Sequence, residues 1–82
     1  MNTDPSNLLT TIGPALVRIW GFDGTTQRWR VYDPMVPALS DLTSLVQGQG
    51  YWVKVTIPVT LIVGGYSYAL QAGWNLIGWR GL

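Results

Sequence analysis

The sequence predicts a small all-β domain, an antiparallel barrel or sandwich of five or six short strands with one short N-terminal helix. Three observations carry this. Aromatic and β-branched residues alternate with period two in several short runs, most clearly Tyr51-Trp52-Val53-Lys54-Val55 after Gly48-Gln49-Gly50. Turn residues separate these runs at intervals of about 8–12 residues, the spacing of short antiparallel strands. The composition, 48% hydrophobic with ten glycines and 11% charged residues, is that of strands and turns and not of a disordered chain.

The 82 residues form one domain, residues 1–82. A chain of this size hides only roughly 60–65% of its unfolded surface, so its core is modest. With no cysteine, neither disulfide nor thiolate metal site supplements it. Five Trp, four Tyr and one Phe compensate, since each ring can bury about 150–250 Å².

From the N-terminus, Asp4 to Pro14 reads as a short helix. Asp4 caps the first amides, Pro5 suits the first helical position and Gly13-Pro14 ends the element. Leu8, Leu9 and Ile12 share a face that must lie on a sheet, because two turns are not stable alone. Ala15 to Phe22 and Gln27 to Tyr32 read as a hairpin around Asp23-Gly24-Thr25. A three-residue loop, Phe22 facing Thr26, sets Ile19 opposite Trp29 and Val17 opposite Val31. Those four then form the core face, and the reverse face carries Arg18, Trp20, Arg28, Arg30 and Tyr32.

Asp33 to Pro37 reads as an extended connection. Ser40 to Leu45 reads as one helical or 3₁₀ turn anchored by Leu39, Leu42 and Leu45. Pro58 separates the Tyr51–Thr56 strand from Val59–Val63. Gly64-Gly65 then turns into Tyr66–Gln71, whose Tyr66, Tyr68 and Leu70 point inward. The closing strand, Gly73 to Trp79, is apolar on both faces, the pattern of a strand buried on two sides, and places Trp74 in the core with Trp29.

Three of these segments together resemble a known module. They are Gly73-Trp74-Asn75-Leu76-Ile77-Gly78-Trp79, Trp29 to Pro34 ending in Tyr32-Asp33-Pro34, and Leu42 to Val53 with its Gly48-Gln49-Gly50-Tyr51-Trp52 centre. The combination is similar to a Trp- and Gly-rich β module of large bacterial cell-surface and secreted proteins. The resemblance spans most of residues 8 to 79 and implies a structural or adhesive role at the cell surface. In that module the Gly-Trp-Asn-Leu-Ile-Gly-Trp strand precedes the helix and hairpin. Here it comes last, so the chain is circularly permuted or its closing strand belongs to a neighbouring copy. The continuation after the second Trp also departs from the module, being Arg80-Gly81.

Several functions are disfavoured. There is no histidine, cysteine or glutamate, and Asp4, Asp23, Asp33 and Asp41 all sit at expected caps or turns, where such side chains bond their own backbone. No enzyme, cofactor or metal site is therefore expected; a calcium loop would need an acidic ligand series that does not occur. A net charge of +1 lacks the dense basic face of a nucleic-acid binder. Gly48-Gln49-Gly50 precedes a strand and not a helix, which disfavours a nucleotide loop. The start lacks the features of a secretory signal, and no apolar run approaches the ~20 residues of a membrane span.

Two functional readings follow. In the first, the chain is a non-catalytic structural or assembly module. It self-associates, most simply as a dimer, through its C-terminal strand, with Trp74, Asn75, Leu76, Ile77 and Trp79 as the residues concerned. Whether that strand pairs within its own chain or with a neighbour is left open. In the second, the chain is a small carbohydrate-binding module. Its ligand surface is Trp20, Tyr32 and Trp52 with Arg18, Arg28 and Arg30, the arginines also serving as cation–π partners of the rings.

Overall fold

The computed structural model describes residues 2–36, 38, 40–63 and 65–80. Its centre is a four-stranded antiparallel sheet in the order β3-β2-β5-β8, built from β2 (Leu16–Asp23), β3 (Arg28–Tyr32), β5 (Gly50–Val55) and β8 (Gly73–Gly78). Two smaller pairs complete the β structure. One is β1 (Asn2–Thr3) with β4 (Leu45–Val46); the other is the hairpin of β6 (Val59–Val63) and β7 (Tyr66–Leu70). The chain is all-β in antiparallel sheets, in a sandwich-like layering. The described sheets do not close into a barrel.

The N-terminal segment forms as its residues dictate. The Asp4 side chain accepts from the Ser6 backbone N–H at 2.9 Å, Pro5 follows, and a 3₁₀ turn (Pro5–Leu8) leads into α1 (Leu9–Ile12). Gly13, with φ +51°, ends it, and a second 3₁₀ turn (Gly13–Ala15) delivers the chain to β2. Leu8 and Ile12 point into the core, which gives so short a helix its stability.

One face of the large sheet is covered. Ile19 from β2 and Tyr51, Val53 and Val55 from β5 meet Leu8 and Ile12 of the helical segment, Leu61 and Leu70 of the small hairpin, and Leu42 and Leu45. Leu16 and Ile19 both point inward because the β2–β5 register shifts between Leu16 and Arg18, a bulge that places Val17 out of alternation. No helix among the described residues is long and apolar enough to cross a membrane.

Several expectations are corrected. The β2–β3 turn has four residues, 24–27, between the paired Asp23 and Arg28, so Phe22 and not Ile19 lies opposite Trp29. The offset is odd, and it turns β3 over: Trp29 and Val31 face away from the core, while Tyr32 packs against it. Trp29 is accordingly 54% exposed. The closing strand is not buried on two sides. It is the sheet's edge, Trp74 is 46% exposed, and Trp79, just beyond the strand, is the buried ring at 1%. Asp33 to Val36 folds as a turn, the Val36 N–H donating to the Asp33 carbonyl, in place of an extended connection. Ser40 to Ser44 forms no helical turn, although Leu42 and Leu45 are buried; Leu39 lies outside the described residues, as do Pro37 and Gly64. The strand break at Pro58 is present.

Candidate functional site

The second face of the four-stranded sheet is uncovered. Its side chains follow from the registers. Trp20 lies opposite Val31 on one side and Trp52 on the other, and Trp52 lies opposite Leu76, so one row across all four strands reads Val31, Trp20, Trp52, Leu76. Toward the hairpin, Trp29 is level with Phe22, their rings edge-to-face at 5.2 Å. One step further along the β2–β5 register Phe22 comes level with Gly50, which pairs with Gly78. Toward the other end the row reads Arg18, Lys54, Trp74.

Each strand thus contributes one tryptophan. Trp29, Trp20, Trp52 and Trp74 run diagonally over the face and line an open depression of about 690 Å³. Strand spacing of about 4.8 Å and a rise of about 3.4 Å per residue give this diagonal a length of roughly 20 Å. Trp52 is 39% and Leu76 62% exposed. Antiparallel sheets with one solvated face usually alternate apolar-in and polar-out. Here Arg18 and Lys54 are the charges carried by these rows. Arg18 is neutralised by Asp33 at 2.9 Å, and the Lys54 ammonium lies 5.6 Å from the Trp74 ring centroid. The Arg18 Nε is buried without an acceptor among the described residues.

The aspartates serve the backbone. Asp23 accepts from the Thr25 N–H and hydroxyl and from Arg30, and these bonds hold its carboxyl far below the usual range. Asp33 accepts from the Met35 N–H and from Arg18, which also lowers its pKa. Asp41 accepts from the Val31 N–H at 2.8 Å, while its own N–H and that of Leu42 donate to the Val31 carbonyl. This segment blocks the free edge of β3. Among the described residues no three acidic, histidine or cysteine side chains gather as a metal site would require.

The candidate ligand residues divide between the two faces. Trp20, Trp52 and Arg18 lie on the open one. Arg28, Arg30 and Tyr32 alternate to the other, where Arg30 pairs with Asp23 and lies 3.8 Å from Asp41, and Tyr32 packs against the core. Burial raises the Tyr32 pKa. Arg30 also lines a separate cleft of about 410 Å³ with Asp23, Thr43, Ser44 and Gln49.

The C-terminal residues divide as well. Trp74 and Leu76 are on the open face. Ile77 packs against the core, and Asn75 closes the turn before the strand, donating to the carbonyls of Gln71, Gly73 and Val53 and accepting from the Gln71 N–H. Trp79 is fixed within its own chain: its N–H donates to Gln49, its carbonyl accepts from Gly48, and its ring stacks on Tyr68. Its indole N–H has no acceptor among the described residues. Strand β8 is paired with β5 from Gly73 to Gly78.

Sequence reasoning missed Trp29, Phe22 and Val31 as members of the open face. For Phe22 the signal was the alternation that it shares with Trp20 on β2. For Trp29 and Val31 it was the length of the hairpin loop, masked by Gln27, which adopts φ +57°. Left-handed backbone at a residue other than Gly or Asn is not written in residue type. Comparison of the chain with family models, with curated proteins and with solved structures returns no match.

Proposed function

We propose that this chain is a non-catalytic assembly module whose working surface is the open tryptophan face of its large sheet. The observation that carries the reading is the composition of that face. Four tryptophans, Phe22, Val31 and Leu76 occupy one side of a sheet whose other side already covers the core. From ring areas of about 150–250 Å² and the exposures above, the face leaves on the order of 450 Å² of apolar surface in water. A patch of this size is comparable to the largest apolar patch of a typical monomer, which is often functional, and here it is carried by a chain of only 82 residues. The C-terminal strand takes part by supplying Trp74 and Leu76, not by leaving its own sheet. A cell-surface or secreted setting is what the resemblance of the sequence to Trp- and Gly-rich modules would imply.

A second reading, carbohydrate binding on the same face, is favoured by one feature. Among the described residues the four indoles do not stack on one another, and they are spread one per strand along the diagonal. Against it, the depression they line is walled by those four apolar rings, with no hydrogen-bonding side chain among them beyond the indole N–H groups. The test of the proposed function is collisional quenching of tryptophan fluorescence by acrylamide. It is measured from about 1 μM to 1 mM protein, and again with a panel of soluble and insoluble polysaccharides. A covered face lowers quenching under one of these conditions. Unchanged quenching under all of them would overturn the assignment of this face as a working surface.

A further inference from the structure

We infer that the occupant of the open face is a second copy of this chain, stacked sheet on sheet about a two-fold axis lying between the sheets and parallel to the strands. The inference rests on the reading above and names the partner. Its basis is that the face is complementary to itself.

With the β2–β5 register carried one step past its last pair, Gly21 with Tyr51, the row nearest the hairpin reads, from β3 to β8, Trp29, Phe22, Gly50, Gly78. Half of it is two large rings, and the other half is bare backbone. A methyl built on Gly78 meets nothing within 4 Å, and one on Gly50 only brushes Ile77 and Leu76 at 3.9 Å, so the glycine half is a hollow. A two-fold axis along the strands reverses this order in the facing copy. Trp29 and Phe22 of each copy then lie over Gly78 and Gly50 of the other, rings into hollow, twice. The middle row, Val31, Trp20, Trp52, Leu76, meets its own reverse in apolar contact along its whole length. In the last row Lys54 of one copy comes over the Arg18–Asp33 pair of the other, where Asp33 offsets the meeting of the two cations. Self-complementarity of one patch is what an isologous dimer requires. Sheets stacked in this way interdigitate side chains over about 10 Å, at angles near 30°.

The area suits a reversible dimer. Two faces of on the order of 450 Å² apolar surface, with their polar rim, bury roughly 1,000–1,200 Å², the low end for specific association. A net charge of +1 offers little electrostatic opposition. Of the other exposed large apolar side chains, Ile57 and Ile62 lie away from this sheet, in the β5–β6 connection and on β6. Met35 and Val36 lie in the turn after β3, where Val36 lines a small cavity with Trp20 and Val31 at the rim of the face.

The experiment is sedimentation equilibrium of the full chain from about 1 μM to 1 mM, with thermal melts to verify folding. Wild type should pass from monomer to dimer in the micromolar range. Gly78→Leu fills the hollow at a position where an added Cβ meets nothing within 4 Å among the described residues, so it should keep its melting temperature when dilute and weaken the dimer at least about tenfold. Combining it with Trp29→Ala, which vacates the opposing ring, should restore part of the loss. Leu76→Lys should weaken the dimer similarly, and Ile62→Lys should not. A wild type that stays monomeric to 1 mM overturns the inference, as does a dimer indifferent to both Gly78→Leu and Leu76→Lys. If quenching falls on a polysaccharide while the protein remains a monomer, the occupant is a glycan. The face then keeps its function and the second copy is excluded.

Discussion

The rings of Tyr68 and Trp79 lie parallel, 4° apart in plane with centroids 5.8 Å from one another. The contact joins the second strand of the small hairpin to the residue just beyond the large sheet's edge strand. It is reinforced on both sides: the Arg80 N–H donates to the Tyr68 hydroxyl, and the Arg80 guanidinium covers the Tyr66 ring at 4.4 Å. Removing Trp79 opens a cavity the size of an indole in the core. Trp79→Ala should therefore lose about 3–5 kcal/mol, most of the stability of a small domain. Trp74→Ala, in dilute solution, should lose less than about 1 kcal/mol, the size of its contact with Lys54. Urea denaturation at low micromolar concentration measures both, and equal losses would contradict the placement of the two rings.

Gly21 lies under Tyr51. A methyl group there would come within 2.6 Å of the Tyr51 ring and 3.3 Å of Leu42. The ring is held from its far end as well, since its hydroxyl accepts from the Val46 N–H at 2.8 Å. Gly21→Ala should cost about 1–3 kcal/mol through forced repacking. In a Tyr51→Ala background the same substitution should cost much less, a non-additivity that a double-mutant cycle reads directly.

Acid should weaken the fold. Asp4, Asp23 and Asp33 all have their pKa lowered from 3.8, Asp4 and Asp33 chiefly by backbone N–H bonds and Asp23 chiefly by the Thr25 hydroxyl. A depressed carboxylate contributes stability that is complete above its unfolded value and lost as pH falls through its folded one. The melting temperature should be flat from about pH 8 to 5 and fall between pH 4 and 2. Asp33→Asn should flatten part of that fall. A melting temperature unchanged at pH 2 would contradict these bonds.

Asn75 makes four hydrogen bonds, three donated and one accepted, around the Gln71–Gly73 turn. Asn75→Ala leaves those backbone groups to water or to nothing and should cost about 1–3 kcal/mol. Amide exchange at Gln71 should accelerate with it. Unaltered exchange there would mean that the turn holds without the side chain.

The strands, the capped N-terminal turn and the break at Pro58 were legible because each follows from residue type over a few positions. Period-two alternation marks Tyr51 to Val55 as half-buried whatever lies around it. The pairing of the hairpin was not legible in this way. It depends on whether three or four residues make the turn, and the fourth place is held open by the left-handed backbone of Gln27. The same applies to Val17, whose bulge lets both Leu16 and Ile19 reach the core. In the closing strand both faces are apolar, so alternation could not say which of Trp74 and Trp79 is inside. That is decided by Tyr68 and by the backbone bonds of Trp79 to Gln49 and Gly48. The candidate surface was half visible, as Trp20 and Trp52. Of the rest, Trp29 and Val31 follow from the hairpin register, and Trp74 and Leu76 from the pairing of the closing strand with Tyr51 to Val55.

The four-residue turn at 24–27 thereby does more than connect two strands. Surface loops are where insertions and deletions are most readily accepted during evolution. A single-residue deletion here would slide β3 by one place and exchange what it shows to the outside. Arg28, Arg30 and Tyr32 would replace Trp29 and Val31, and a greasy panel would become a cationic one with every strand residue intact. Descendants of this chain could in this way change the chemistry of their exterior by altering only the length of a turn.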